Sequence, residues 1–197
     1  MFDRLRSFLR ITESDKIARR YFVTNGFDGV LATLGLLMGF RLNVKTSLDV
    51  IIGACLGAAV ALFMSGITSA YISESAEKER ELQLLEQSMV TSLDHSVHGL
   101  AARTMPWVIA LINGLSPFCL ALLVMLPLFI AETQLFGGIP PLDAAISVAL
   151  LLTFLLGVYS GRLGGRFWLW AGLRSLMIAA ITAIIIFALN RVLNVQS

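Results

Sequence analysis

One ionisable residue, Asp28, interrupts an otherwise uncharged and largely apolar stretch, NGFDGVLATLGLLMGF, at residues 25–40. A stretch of this kind is typical of a segment inside a lipid bilayer, where a charge costs about 2.5 kcal/mol or more. Ionisable residues at such depth mark ion or proton paths often enough that function is the first hypothesis. Asp28 is therefore our first candidate for binding a cation.

A thioether is predicted to lie at the same depth on the next hydrophobic segment. Asp28 lies seven residues beyond Tyr21, and Met64 lies eight residues before Ile72. At a rise of ~1.5 Å per residue, these offsets place both side chains about 10–12 Å from one membrane face. A carboxylate and a thioether together suit a soft-to-borderline divalent ion such as Fe²⁺ or Mn²⁺. Because two ligands are too few to hold an ion, we expect a two-fold dimer to double them.

Three further carboxylates lie on one side of a predicted helix. Glu74, Glu77 and Glu81 have the spacing i, i+3, i+7, which places them on one helical face. Such a face binds divalent ions and raises their concentration near a pore entrance. Interleaved basic residues leave a second interpretation open, in which the face is only solvated. The segment that follows holds further possible ligands whose role the spacing does not define: Asp94, His95 and His98.

The sequence has none of the motifs that mark common enzymes. It contains no phosphate-binding glycine loop, no nucleophile motif and no paired-cysteine zinc motif. We therefore expect neither an enzyme nor an ATP-driven pump, no tightly bound cofactor and no nucleic-acid partner.

The elements that must position these side chains are five hydrophobic segments. The chain has 197 residues, of which 57% are hydrophobic and 14% are charged, whereas soluble domains have about 25% charged residues. Each segment has close to the ~20 residues that cross a bilayer: Phe22–Phe40, Val50–Ile72, Trp107–Ala131, Ala144–Gly161 and Phe167–Leu189. We predict an all-α, multi-pass membrane protein with five transmembrane helices.

The distribution of basic residues favours a cytoplasmic N-terminus. In that orientation Arg41, Lys45 and Arg191 lie outside, and the other twelve of the fifteen lysines and arginines lie inside. The second helix is predicted to extend into the cytoplasm. The resulting organisation is an amphipathic cytoplasmic segment (1–20), transmembrane helices 1–2 (21–72), an acidic cytoplasmic helical segment (73–105) and transmembrane helices 3–5 (106–193).

Two other functions compete with metal binding. Arg174 is predicted to lie in the same leaflet as Asp28, so an ion pair would make Asp28 a structural residue of a non-transporting scaffold or sensor. Arg174 can instead extend to water beside the interfacial residues Trp168 and Trp170. In an organic-cation carrier Asp28 would be the counter-ion, although such sites favour aromatic cages and the tryptophans lie near segment ends.

The sequence resembles the vacuolar iron transporter family, which includes vacuolar iron/manganese carriers of yeast and plants and their prokaryotic relatives. The similar segments are NGFDGVLATLGLLMGF, GAAVALFMSGITSAYISESAEKEREL, PWVIALINGLSPFCLALLVMLP and FLLGVYSGRLGGRFWLWAGLRSLMIAAITAIIIFALNRVL, which together span roughly residues 19–193. The resemblance implies a five-span homodimer that exports Fe²⁺, and often Mn²⁺, from the cytosol in exchange for protons. The membrane would be the plasma membrane in a prokaryote and the vacuolar membrane in a eukaryote.

The resemblance also assigns roles to individual residues. It implies that Asp28 and Met64 line the transport path, and that a cytoplasmic metal-binding region includes Glu74, Glu77 and Glu81. Two features differ from the family pattern. The chain reads SAY at Ser69–Tyr71, where the family commonly has a GEY-like triplet, and its cytoplasmic segment is short.

Overall fold

The computed structural model of the protein describes residues 14–42, 46–93, 96–131, 139–165 and 167–194. These residues form five α-helices and no strand. The helices are α1 (Ser14–Arg41), α2 (Leu48–Met89), α3 (Val97–Phe129), α4 (Pro141–Leu163) and α5 (Trp168–Asn194). Each is long and apolar enough to cross a bilayer. The predicted all-α class with five membrane spans is confirmed.

The second helix is much longer than a bilayer requires. α2 has 42 residues, which corresponds to about 63 Å of helix, whereas the hydrocarbon core is about 30 Å thick. It ends where Val90 adopts a positive φ of 51°. The prediction that this helix continues past the membrane as one element is confirmed. Residues 1–13 of the expected amphipathic segment, and the candidate ligands Asp94 and His95, lie outside the described residues.

The chain divides into two compact units. The first unit combines the residues up to Asn25 with Phe63–Ser116, and the second combines Gly26–Leu62 with the residues from Pro117 onward. The boundaries fall inside α1, α2 and α3, so these three helices contribute to both units.

In the first unit, α2 and α3 cross in backbone contact at two glycines. A Cβ atom on Gly66 would lie 2.9 Å from the Cα of Gly114, and one on Gly114 would lie 2.7 Å from the carbonyl oxygen of Phe63. Small residues at such crossings allow helices to pack closely in lipid, where the hydrophobic effect does not drive their association. The rings of Tyr71 and Trp107 also pack together, with centroids 4.2 Å apart.

The second unit has an apolar core to which all five helices contribute. At one end of this unit, Arg41 and Asp143 join α1 to α4 through an exposed ion pair of 2.7 Å. Gly29 of α1 packs directly against the backbone of Pro117 in α3. The fully or nearly buried core residues are Val30, Leu34, Leu37, Ile51, Cys55, Leu120, Val124, Met125, Leu128, Ala145, Ala149, Leu156 and Ala179.

Helices α4 and α5 form a tight hairpin in the second unit. Gly157 packs against Ser175, and Gly161 packs against the Cβ of Ala171, so a larger residue at either glycine would separate the helices. The connection turns at Gly165, whose φ of +64° favours glycine because it has no Cβ. This hairpin fixes the position of the membrane-embedded first half of α5.

Candidate functional site

Asp28 lies near the middle of the first membrane span. It is eleven residues from the start of the span Ile17–Arg41 and thirteen residues from its end. The side chain is exposed on the surface of the second unit. Among the residues that the structure describes, Asp28 makes no ion pair and no side-chain hydrogen bond. A carboxylate in this position has its oxygen atoms available for a cation.

Arg174 does not neutralise Asp28. It lies on α5 in the same unit and is also exposed. The ion pairs found within the described ranges join Arg41 to Asp143 and Lys78 to Glu81. The ion pair considered as a structural role for Asp28 is therefore not formed.

Met64 lies on α2 in the first unit, and 55% of its surface is exposed. Its thioether is accessible rather than enclosed in the protomer. It lies two residues before Gly66, where α2 contacts α3. The backbone that carries Met64 is therefore held by the close helix crossing described above.

A buried amide ties three helices of the first unit together. The Asn113 side chain, which is only 4% exposed, donates a hydrogen bond of 2.7 Å from Nδ2 to the carbonyl oxygen of Gly66. Its Oδ1 accepts a hydrogen bond from Nδ2 of Asn25 on α1. One turn away, the Ser116 hydroxyl donates a bond of 2.6 Å to the carbonyl oxygen of Phe22. These bonds fix the registers of α1, α2 and α3 around the segment that carries Met64.

This amide network was not predicted from the sequence. The available signal was Asn113 itself, a polar residue inside the apolar run PWVIALINGLSPF. A side-chain amide at this depth needs hydrogen-bond partners on other helices. The sequence gives no indication of which backbone carbonyl accepts the bond, because that depends on the α2–α3 crossing.

The three carboxylates of the predicted acidic face lie in three different environments. Glu74 is 7% exposed, and it accepts a hydrogen bond of 3.1 Å from the Tyr21 hydroxyl on α1. Glu77 is exposed. Glu81 is exposed and forms an ion pair of 2.7 Å with Lys78, whose side chain is only 5% exposed. Glu77 is therefore the one of the three that is exposed and forms neither an ion pair nor a side-chain hydrogen bond with the other described residues.

The extension of α2 also presents acidic residues toward α3. A cleft of about 550 Å³ lies between the two helices and is lined by Glu79, Gln83 and Glu86 on α2 and by Arg103 on α3. The three α2 residues have the spacing i, i+4, i+7 and so share one helical face. Glu86 also accepts a hydrogen bond of 2.7 Å from the backbone N–H of Leu93. The acidic helix therefore offers side-chain oxygen atoms in more than one direction.

No group of three His, Cys, Asp or Glu side chains converges within the part of the chain that the structure describes. Each candidate carboxylate contributes at most two oxygen atoms at its own position. A bound divalent ion would need further ligands from water, from other polar groups or from a second copy of the protein.

The protein is an integral multi-pass membrane protein in contact with the lipid bilayer, because it has five helices that are long and apolar enough to span a membrane. The first of these helices carries a carboxylate within its span, and the second has a long acidic extension. The chain belongs to the VIT family, whose model matches residues 83–191, more than half of its length. This confirms the resemblance seen in the sequence and makes the protein a membrane metal transporter by family. The match covers α3, α4 and most of α5, so it does not depend on Asp28 or on the acidic face.

The chain is also similar to an uncharacterized protein of Methanocaldococcus jannaschii. The two sequences are 29% identical over 175 residues, which cover 87% of this chain and 88% of the archaeal protein. The similarity therefore extends over nearly the whole of both chains.

Proposed function

We propose that the protein exports divalent metal ions, Fe²⁺ or Mn²⁺, from the cytosol in exchange for protons. The observation that carries this proposal is Asp28, an exposed carboxylate in the middle of a membrane span with no partner among the described residues. A charge at this depth is too costly to be kept without a partner. A metal ion and a proton would neutralise the same carboxylate in turn, which couples the two movements.

The exposure of Asp28 supports a homodimer. Lipid chains cannot solvate a carboxylate, so we propose that its surface faces a second copy across a two-fold axis. In the same unit, a Cβ atom on Gly53 or Gly57 of α2 would meet nothing within 4 Å. Such exposed glycines allow helices of two copies to approach closely. The two-fold axis would then supply two Asp28 carboxylates and two Met64 thioethers to one path.

The acidic extension of α2 would load the path. The exposed carboxylates of Glu77 and Glu81 attract divalent ions from solution and raise their local concentration. In this proposal the metal is cargo, with no tightly bound cofactor and no enzymatic activity. The N-terminus and the α2 extension lie in the cytoplasm, and the membrane is the plasma membrane of a prokaryote or the vacuolar membrane of a eukaryote.

Transport is better supported than a scaffold role. The scaffold hypothesis rests on an ion pair between Asp28 and Arg174, and the two side chains form none. An organic-cation carrier would use the same carboxylate, so it must be separated by experiment.

The test is metal flux into vesicles that contain the purified protein and an internal metal-quenched dye. We compare Fe²⁺, Mn²⁺, Co²⁺ and Zn²⁺, with and without an imposed proton gradient, and use protein-free vesicles as the control. We expect Fe²⁺ or Mn²⁺ to enter faster than in the control, and the proton gradient to increase the rate. Metal flux equal to that of the protein-free control would contradict the proposal. Transport of a tetraalkylammonium probe without any transport of metal would also contradict it.

A further inference from the structure

A cleft of about 880 Å³ opens in the second unit between α1, α4 and α5. Its volume is within the ~300–1,000 Å³ typical of ligand sites. Most of its lining is apolar and includes Phe27, Leu31, Met177 and Ile178, whereas the polar lining includes Ser160 and Arg174. The cleft is therefore amphipathic.

Arg174 is the only charged residue among the described residues that line this cleft. The last span begins at Trp168, and Arg174 lies six residues further along the helix. This separation corresponds to about 9 Å along the helix axis. Trp168 and Trp170 are both exposed, as expected for aromatic residues at the headgroup level of a membrane. The backbone of Arg174 therefore lies deeper in the span than these tryptophans.

The charge of Arg174 is not balanced within the described protein. Arg174 forms no ion pair or side-chain hydrogen bond with the other described residues. A cation within a membrane span requires either an anion or access to water. An anion that enters the cleft from the headgroup region would meet this requirement without any movement of the helices.

Small residues form the α4 side of the cleft. Ser160, Gly161 and Gly164 line it, and none of them has a bulky side chain. Ser160 is exposed, and its hydroxyl is a potential hydrogen-bond donor to a ligand in the cleft. The lining therefore combines one arginine charge, a hydroxyl donor and several apolar side chains.

We propose that this cleft binds an anionic phospholipid, with its phosphate on Arg174 and an acyl chain along Phe27, Leu31, Met177 and Ile178. Basic pockets between transmembrane helices bind anionic headgroups in this way. A zwitterionic lipid fits less well, because its headgroup cation is brought close to the arginine. The site is independent of the metal that the protein carries, since it uses neither Asp28 nor the acidic helix.

The test is native mass spectrometry of the detergent-solubilised full-length protein, titrated with phosphatidylglycerol or with phosphatidylcholine of identical acyl chains. Wild-type protein should bind phosphatidylglycerol more tightly than phosphatidylcholine. Arg174→Gln should weaken phosphatidylglycerol binding roughly tenfold, the usual value of one charged hydrogen bond. Arg174→Lys should retain most of the binding. Arg162→Gln is the matched control, because Arg162 is an exposed arginine on α4 that does not line the cleft.

Several outcomes would overturn the proposal. Equal binding of the two lipids, or unchanged phosphatidylglycerol binding by Arg174→Gln, would remove the role of the charge. Binding of glycerol 3-phosphate as tight as that of phosphatidylglycerol would show a soluble anion site instead of a lipid site. Cross-linking between copies through a cysteine at Met177 would assign the cleft to a second copy. If the Gln variant does not fold, Arg174→Met replaces it as the variant without a charge: a weaker preference for phosphatidylglycerol is expected, and an unchanged preference would overturn the proposal.

Discussion

The side-chain amide of Asn113 on α3 donates a hydrogen bond of 2.7 Å to the backbone carbonyl oxygen of Gly66 on α2. The same amide accepts a hydrogen bond from Asn25 on α1. One buried side chain thus connects the three helices of the first unit, at the position where α2 and α3 touch through glycines. The segment that carries Met64 has a defined position because of this arrangement.

We expect Asn113→Leu to destabilise the protein by about 1–3 kcal/mol, because it removes two buried side-chain hydrogen bonds, to the Gly66 carbonyl oxygen and from Asn25. The measurement is thermal unfolding in detergent. Ser69→Ala is the control, because the Ser69 hydroxyl donates a longer and therefore weaker hydrogen bond, of 3.4 Å, to the same Gly66 carbonyl oxygen. Equal melting temperatures for the two variants would mean that the Asn113 bond does not hold the helices.

We expect Gly114→Ala to destabilise the protein by about 1–3 kcal/mol through overpacking of the α2–α3 crossing. The added methyl group would lie 2.6 Å from the Ile67 Cγ1 and 2.7 Å from the Phe63 carbonyl oxygen. Gly39→Ala is the matched control, because its Cβ would meet nothing within 4 Å. If thermal unfolding cannot distinguish the two variants, the helices are not in backbone contact.

We expect replacement of Glu74, Glu77 and Glu81 by Gln to raise the apparent KM for metal more than it lowers the maximal rate. The single variant Glu77→Gln should account for most of this increase, since Glu77 is exposed and Glu74 is bonded to Tyr21. Glu74→Gln should instead lower the melting temperature. Initial rates of metal uptake into vesicles over a range of metal concentrations test the two expectations for KM, and thermal unfolding in detergent tests the expectation for Glu74→Gln. An unchanged KM in the triple variant would mean that the face is only solvated.

We expect a cysteine at Ala32 to cross-link two copies of the protein. Ala32 is exposed and lies one turn from Asp28 on α1, on the surface that we assign to the two-fold interface. The experiment uses a Cys119→Ser background, because Cys119 is exposed, and membranes rather than detergent. A cysteine at Leu151, which is 57% exposed on α4, is the control. Monomers only, or equal cross-linking at both positions, would contradict the proposed interface.

The fold was largely predictable from the sequence, because five apolar segments of bilayer length leave few other architectures. The long α2 was predictable as well, since no proline or glycine occurs between Gly66 and Met89 to end it. The extent of α1 was less clear. Its helix begins at Ser14, because polar residues such as Arg19 and Arg20 continue a helix as readily as apolar ones do.

The side-chain environments were not predictable to the same degree. The i, i+3, i+7 spacing placed Glu74, Glu77 and Glu81 on one face, but only the packing of α1 against α2 buries Glu74 beneath Tyr21. Likewise, Arg174 and Asp28 were predicted at similar depth and have opposite charges. The depth of a residue along a helix, however, does not fix the rotation of that helix about its axis. Whether two such residues meet depends on that rotation, which tertiary packing determines.

Metal flux through Asp28→Asn in proteoliposomes, measured beside the melting temperature of the same preparation, tests whether Asp28 carries both the metal and the proton. The variant keeps the size of the side chain and removes the charge that both the metal and the proton require, and a neutral amide is less costly than a charge at this depth. We predict a folded protein whose Fe²⁺ and Mn²⁺ flux equals that of protein-free vesicles, with no recovery when Arg174→Gln is added. Wild-type flux in a well-folded Asp28→Asn protein would contradict the account, as would recovery of both flux and stability in the double variant.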